Sequence, residues 1–286
     1  MGRTLAELVP LLLLPAAAFL AYSRPAWQFM WLLAFALFFA VKWATWLRAC
    51  GETHPWPRSF AYLFLWPGMD AEAFLDTHPD VAPPAAKQWL GAFLQTALGA
   101  ALLWLVARRL PDVPLLRGWA GMIGAVLLLH FGSFRLIALF WRARGINAEP
   151  IMDAPLRSTA LAEFWGRRWN LGFHDLARML VFAPTRRALG AAGATLLVFL
   201  ASGLVHDLVI SVPARGGYGL PTLYFLLQGF GLLLERSRLG KRTRLGSGIS
   251  GWLYTAAFTA GPAVLLFHPV FIARVILPFM HAIGAL

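Results

Sequence analysis

A histidine, His206, stands within the apolar run from Thr195 to Ile210, seven and four residues along a line from Thr195 through Ser202. Those steps place all three side chains on one face of a helix. An ionisable group in an apolar span is costly and normally faces the bundle interior or a watery cavity. Imidazole suits proton abstraction near neutral pH, and dry surroundings that keep it uncharged leave it able to accept a proton. The alternative is structural, a neutral histidine bridging two helices by hydrogen bonds. Gly203 leaves room beside the pair for another helix or for a substrate chain. Asp207, the next residue after the histidine, lies about 100° round the helix and need not touch the imidazole.

A second group of polar residues lies in the tract Ala162 to Arg178. On an unbroken helix over about 158–182, Trp165, Trp169, Phe173, Leu176 and Leu180 form one stripe, and Glu163, Arg167, Asn170, His174 and Arg178 form another. Glu163 and Arg167 are then spaced for an ion pair. Such a helix can lie in the headgroup layer, apolar face down, or its polar row can line a chamber inside the protein. The mixture of Glu, Asn and His among the arginines favours the chamber. The adjacent Arg167 and Arg168 offer forked donors suited to phosphate oxygens.

Other polar residues at helical spacing, His130 with Ser133 and Tyr224 with Gln228, could line a cavity, but interhelical hydrogen bonding is the simpler expectation. His268 and His281 fall near the ends of apolar runs and read as interfacial. His54 and His78 fall in loops with no ligand-like context. No metal motif, prenyl-diphosphate motif or nucleotide-binding glycine fingerprint occurs, and no spacing argues for haem. Cys50, the single cysteine, excludes a disulfide framework. No soluble basic module for nucleic acid is present.

The elements that must position these groups follow from composition. Apolar residues make up 59% of the 286 and charged residues 13%, against about 45–50% and about 25% in soluble domains. The chain is expected to be an all-α polytopic membrane protein, a single domain over 1–286. A span needs roughly 20 apolar residues, and eight runs qualify: 5–22, 27–47, 88–107, 119–141, 188–212, 219–234, 249–267 and 270–285. Interfacial amphipathic helices complete the architecture. Arg24-Pro25 leads directly from the first run into the second, which reads as a helical hairpin rather than a cleaved signal peptide.

The net charge of +12 concentrates in two connections, 142–187 and 236–244. The positive-inside rule puts both, and with them both termini, on the cytoplasmic side. Arg108, Arg109 and Arg117 fall on the opposite side and disagree. The Trp- and Pro-rich connection 49–87 reads as an interfacial segment. The Ala-, Leu-, Gly- and Arg-heavy composition suggests a bacterial cytoplasmic membrane. No internal repeat of the kind that marks many transporters is found.

Taken together, Pro155 to Asn170 and Ser202-Gly203-Leu204-Val205-His206-Asp207 resemble the two hallmark motifs of wax synthase-type enzymes in the membrane-bound O-acyltransferase (MBOAT) superfamily. The close resemblance spans roughly Pro155 to Asp207. It implies acyl transfer from acyl-CoA, a co-substrate rather than a resident cofactor, to the hydroxyl of a lipophilic alcohol taken from the bilayer. It also implies His206 and Asn170 as catalytic residues. Arg167, Arg168 and Arg178, with Trp165 and Trp169, are then candidates for binding the CoA moiety, and His174, Ser202, Gly203, His130 and Gln228 for lining the substrate site. Asp207 departs from the glutamate more usual after the histidine. Two alternatives stay open: an acetyl-CoA-dependent enzyme acting on a hydrophobic acceptor, and a non-enzymatic transporter-type bundle.

Overall fold

The computed structural model describes residues 2–49, 55–77 and 80–286, so Cys50, His54 and His78 lie outside the described residues. Every described element is helical, as the composition requires. Each of the eight expected apolar runs falls on helix, but among the described residues five helices are both long and apolar enough to cross a membrane: Ala26–Ala49, Ala86–Arg109, Pro114–Arg142, Leu171–Ala214 and Gly248–Leu266. Val9–Ala21 and Pro269–Ala282 are apolar but shorter. Leu220–Arg236 has 17 residues, which at about 1.5 Å each is a rod of about 25 Å, short of a hydrocarbon core of about 30 Å.

By its internal contacts the chain divides into two compact units, Met1–Ile151 with Ala273–Leu286, and Met152–Ile272.

In the first unit, Gly2–Ala18 and Ala26–Ala49 form a hairpin, closed at its turn by Phe19 and Tyr22 edge-on to Phe29 at 5.4 and 5.5 Å. The following segment is not merely interfacial. Tyr62, Trp66 and Phe74 are buried with Ala138 and Ala148 in a core of their own, while Trp56 stays exposed. Lys42 is fully buried beneath this segment, its amine 3.4 Å from the Tyr62 ring centre and donating to the Gly68 carbonyl. Tyr62 Oη donates to the Met69 carbonyl at 3.0 Å and lies 2.7 Å from Thr45 Oγ1.

Ala86–Arg109 and Pro114–Arg142 pack backbone to backbone. A Cβ on Gly99 would meet Leu128 N at 2.4 Å, and one on Gly124 would meet Leu103 N at 2.8 Å. The basic turn between these helices is tied down locally. Arg117 pairs with Asp112 at 2.7 Å and donates to the Leu110 carbonyl at 3.0 Å, and Arg108 donates to the Gly284 carbonyl.

In the second unit, Leu171–Ala214 is two rods in series. Gly190, with φ 67° and ψ 176°, breaks the helix where only glycine adopts such a backbone without strain. The rod after the break packs along Leu220–Arg236, and the approach is closest at Gly203, where a Cβ would lie 2.7 Å from Thr222 Cα. The room that the sequence left beside His206 is therefore taken, at this point, by a helix.

Candidate active site

The first motif is anchored at its start by a distant carboxylate. Glu235 accepts hydrogen bonds from the N–H groups of Leu161 and Ala162, the latter at 3.3 Å. It thereby satisfies the start of a helical segment, 161–168, whose own N-cap residue, Ala160, offers no side-chain bond. Four residues on, the Trp165 indole N–H donates to Gln228 Oε1 at 3.3 Å, and its ring lies 5.8 Å from that of Phe199 and 5.7 Å from that of Phe225. Phe225 in turn lies 4.3 Å, centroid to centroid, from the His206 imidazole. The segment thus runs along Leu220–Arg236 from its basic end to the level of the histidine.

The unbroken helix expected over 158–182 does not form. Residues Phe164–Arg168 make a widened π-helical turn, the chain is extended at Trp169, and Asn170 adopts a left-handed conformation with φ 49°. A new helix starts at Leu171. The row Glu163, Arg167, Asn170, His174, Arg178 is therefore split at Asn170, and the aromatic stripe with it. Trp165 is directed to Phe199 and Phe225, whereas Trp169 stacks on Phe164 at 5.4 Å.

The wider turn also changes the ion pair. With i→i+5 bonding in place of i→i+4, Glu163 meets Arg168 at 2.7 Å instead of Arg167. Burial would raise the Glu163 carboxyl, but the Thr159 N–H at 3.0 Å and the Arg168 guanidinium outweigh it and hold the group below its ordinary value. Arg168 also donates to the Asp153 carbonyl at 3.1 Å. Its fork is committed within the protein, so it is not a free phosphate ligand as the sequence suggested. The side chains of Arg167 and Arg178 are exposed and make no hydrogen bond among the described residues.

His206 Nδ1 lies 2.7 Å from the Ser202 carbonyl one turn earlier in its own helix. A carbonyl only accepts, so Nδ1 carries the proton and Nε2 is left with the lone pair. Ser202 enters the site through its backbone, not its hydroxyl.

Asp207 makes its hydrogen bonds away from this pair and begins another π-helical turn, Asp207–Ser211. Its carboxylate accepts from Gly219 N at 2.8 Å, Thr222 N at 3.0 Å, the Thr222 hydroxyl and the Ser211 hydroxyl at 2.9 Å. It caps the start of Leu220–Arg236, where the N–H groups lack partners and the helix dipole favours an anion. Behind it, His268 is fully buried among protein side chains. Its Nδ1 accepts from Phe271 N at 3.1 Å, so Nε2 carries the proton, 3.4 Å from Ser211 Oγ. A directed chain results: His268 donates to Ser211, and Ser211 to Asp207. Sequence reading missed this chain. The i,i+4 spacing of Asp207 and Ser211 was its one visible trace.

The remaining candidates separate cleanly. Gln228 is fully buried and donates to the Phe258 carbonyl at 2.5 Å, and Tyr224 donates to the Thr259 carbonyl at 3.1 Å. Both join helices. His174 is held by Asp175 at 3.1 Å, and its Nε2 lies 4.0 Å from where a Cβ on Gly166 would sit. The Asn170 side chain has no hydrogen-bond partner among the described residues, while its backbone N–H meets Met152 Sδ at 3.3 Å. His130 belongs to the first unit, where its Nδ1 is buried without a partner. Among the described residues, no three His, Cys, Asp or Glu side chains gather as a metal would need.

Residues 148–227 match the model of the membrane bound O-acyl transferase family. The chain is 32% identical over 138 residues to a long-chain-alcohol O-fatty-acyltransferase of Simmondsia chinensis, covering 44% of this chain and 39% of that protein. It is 33% identical over 141 residues to the probable long-chain-alcohol O-fatty-acyltransferase 7 of Arabidopsis thaliana, covering 44% and 40%. Against acyl-CoA–sterol O-acyltransferase 1 of the same plant the identity is 30% over 137 residues, covering 44% and 39%. The similarity thus spans about two fifths of each relative. The region that carries both motifs is similar to the membrane bound O-acyl transferase family and, within it, to long-chain-alcohol O-fatty-acyltransferases.

Proposed function

We propose that this protein moves an acyl group from acyl-CoA to the hydroxyl of a lipophilic alcohol, with His206 Nε2 as general base. The observation that carries the reading is the fixed tautomer. The Ser202 carbonyl holds the proton on Nδ1 and leaves Nε2 to take a proton from the alcohol as its oxygen attacks the thioester carbonyl. Help of this kind is worth about 10²–10⁴ in rate. The proton returns to the departing thiolate, giving ester and free CoA. The printed names of the relatives, which transfer fatty acyl groups to long-chain alcohols or a sterol, support the same chemistry. Asn170, with a free amide on a left-handed turn, is placed in the role of oxyanion donor or acceptor-positioning group. The alcohol enters from the bilayer and the coenzyme from the cytoplasmic side, where the positive-inside rule puts the basic connections.

The test uses purified full-length protein in detergent, supplied with acyl-CoAs of graded length and with long-chain alcohols, diacylglycerol or sterols. Release of CoA together with an ester identified by mass supports the reading. A transporter-type bundle gives no thiol release, and activity confined to acetyl-CoA selects the short-donor alternative. Full activity in His206→Ala defeats the general-base assignment.

A further inference from the structure

A donor carrying three phosphate groups needs several cations converging on one place, and the first motif does not provide it. Arg168 is committed to Glu163 and Asp153, Arg167 stands alone beside it, and Arg178 lies beyond the break at Asn170. The convergence is found at the other end of Leu220–Arg236. There, Arg236, Lys241 and Arg244 line a cavity of about 330 Å³, together with Gly246, Ser247 and Glu235.

The three cationic side chains are exposed and have no hydrogen-bond or ion-pair partner among the described residues. The one acid in the lining, Glu235, accepts from the N–H groups of Leu161 and Ala162; it feels the charge of Arg236 but makes no close ion pair with any of the three, so the lining keeps a net positive charge. The loop is held in a defined shape. Ser237 Oγ caps the short helix Arg238–Arg242 by accepting from Gly240 N at 3.1 Å, and Leu245 N bonds the Gly240 carbonyl at 2.9 Å. Arg244 takes a left-handed backbone with φ 56°, a conformation that costs a non-glycine residue free energy and persists where the surroundings impose it.

The same helix serves as a ruler. Phe225, in ring contact with His206, and Arg236 are eleven residues apart on one regular helix, an axial rise of about 16 Å. The pantetheine arm of CoA runs through about 13 bonds from pyrophosphate to sulfur. An extended chain advances roughly 1.2 Å per bond, again about 16 Å.

We propose that the Arg236, Lys241 and Arg244 cavity holds the phosphate groups of the acyl-CoA donor, so that the extended pantetheine arm delivers the thioester to the level of His206. The inference rests on the acyl-CoA reading above and adds where the nucleotide end sits. Phosphate is also the chemistry of a lipid headgroup, but a flat lipid surface has no need of a cavity set one pantetheine length from the base.

The experiment compares wild type with the triple variant Arg236→Ala, Lys241→Ala, Arg244→Ala, and with the single charge reversal Lys241→Glu in case the triple variant folds poorly. Full-length protein is placed in nanodiscs of phosphatidylcholine, with and without phosphatidylglycerol. Kinetics are measured with palmitoyl-CoA and with palmitoyl-pantetheine, which carries the same thioester and no phosphate. The expected result is a rise of tenfold or more in KM for palmitoyl-CoA, with kcat and both constants for palmitoyl-pantetheine unchanged. An unchanged KM, or an equal change for both donors, overturns the proposal. So does a KM shift in Arg167→Ala that the cavity variants lack. An effect seen only as lost dependence on phosphatidylglycerol assigns the cavity to lipid and also overturns it.

Failure of the acyl-CoA reading appears separately, as no CoA release by wild type. In that event, titration with adenosine 3′,5′-bisphosphate still reads the cavity: tenfold weaker binding by the variants supports it, and equal binding removes it.

Discussion

His130 and His206 both lie inside long apolar helices, His130 within the π-helical turn Leu127–Ser133 of the first unit and His206 immediately before the π-helical turn Asp207–Ser211 of the second. Their surroundings differ in one respect that matters chemically. His206 has a bonded Nδ1 and therefore a defined tautomer, and the turn after it is pinned by a carboxylate with four hydrogen-bond donors. The buried Nδ1 of His130 has no partner, and the hydroxyl of its neighbour Ser133 only returns to the Leu128 carbonyl of its own helix. An intramembrane histidine is thus not by itself a base. On the function proposed above, His206 serves as one because the fold chooses which nitrogen holds the proton and fixes the ring against its surroundings.

The sharpest break of this contrast is a pair of alanine substitutions. His206→Ala is expected to lower kcat for ester formation by about 10²–10⁴, and His130→Ala by less than about tenfold. CoA release measured side by side checks both, and equal losses would erase the distinction. Next in size is Asp207→Asn. An amide must turn one NH₂ toward N–H donors that the carboxylate now accepts from, and hydrogen bonds to charged groups contribute about 1.5–3 kcal/mol each. The thermal midpoint in detergent should fall, and kcat with it, whereas Ser133→Ala beside His130 should change neither.

Gly203→Ala drives a methyl group against Thr222 Cα. Overpacking of this kind costs about 1–3 kcal/mol, so the thermal midpoint should drop without any change in ionisable groups. The smallest effect concerns Glu163, whose carboxyl is held below its ordinary value by Thr159 and Arg168. A depressed carboxylate stabilises the fold above its unfolded pKa, and that contribution is lost as pH falls through the folded one. Wild type should therefore lose thermal stability below the ordinary glutamate range more steeply than Glu163→Gln. Parallel pH profiles would remove the ion pair from the account.

The periodicity that placed Thr195, Ser202 and His206 on one face held because that rod is a regular helix up to His206. The same arithmetic failed over 158–182, because it assumes about 3.6 residues per turn and the chain instead forms a wide turn and a left-handed break. Nothing local in Arg167-Arg168-Trp169-Asn170 reveals which arginine meets Glu163. The connection of His268 to Asp207 through Ser211 joins residues up to 61 positions apart, and only its Asp207–Ser211 step, at i,i+4, shows in the sequence.

Composition and apolar run length determined the helical, membrane-type architecture and the place of each rod, since hydrocarbon accepts only backbone that satisfies itself. The motif residues determined the chemistry to be looked for. Tertiary structure decided the rest: which nitrogen of His206 is free, which arginines remain available, and how far the basic loop lies from His206 along Leu220–Arg236. These depend on hydrogen bonds and packing between residues distant in the chain, which no single segment encodes.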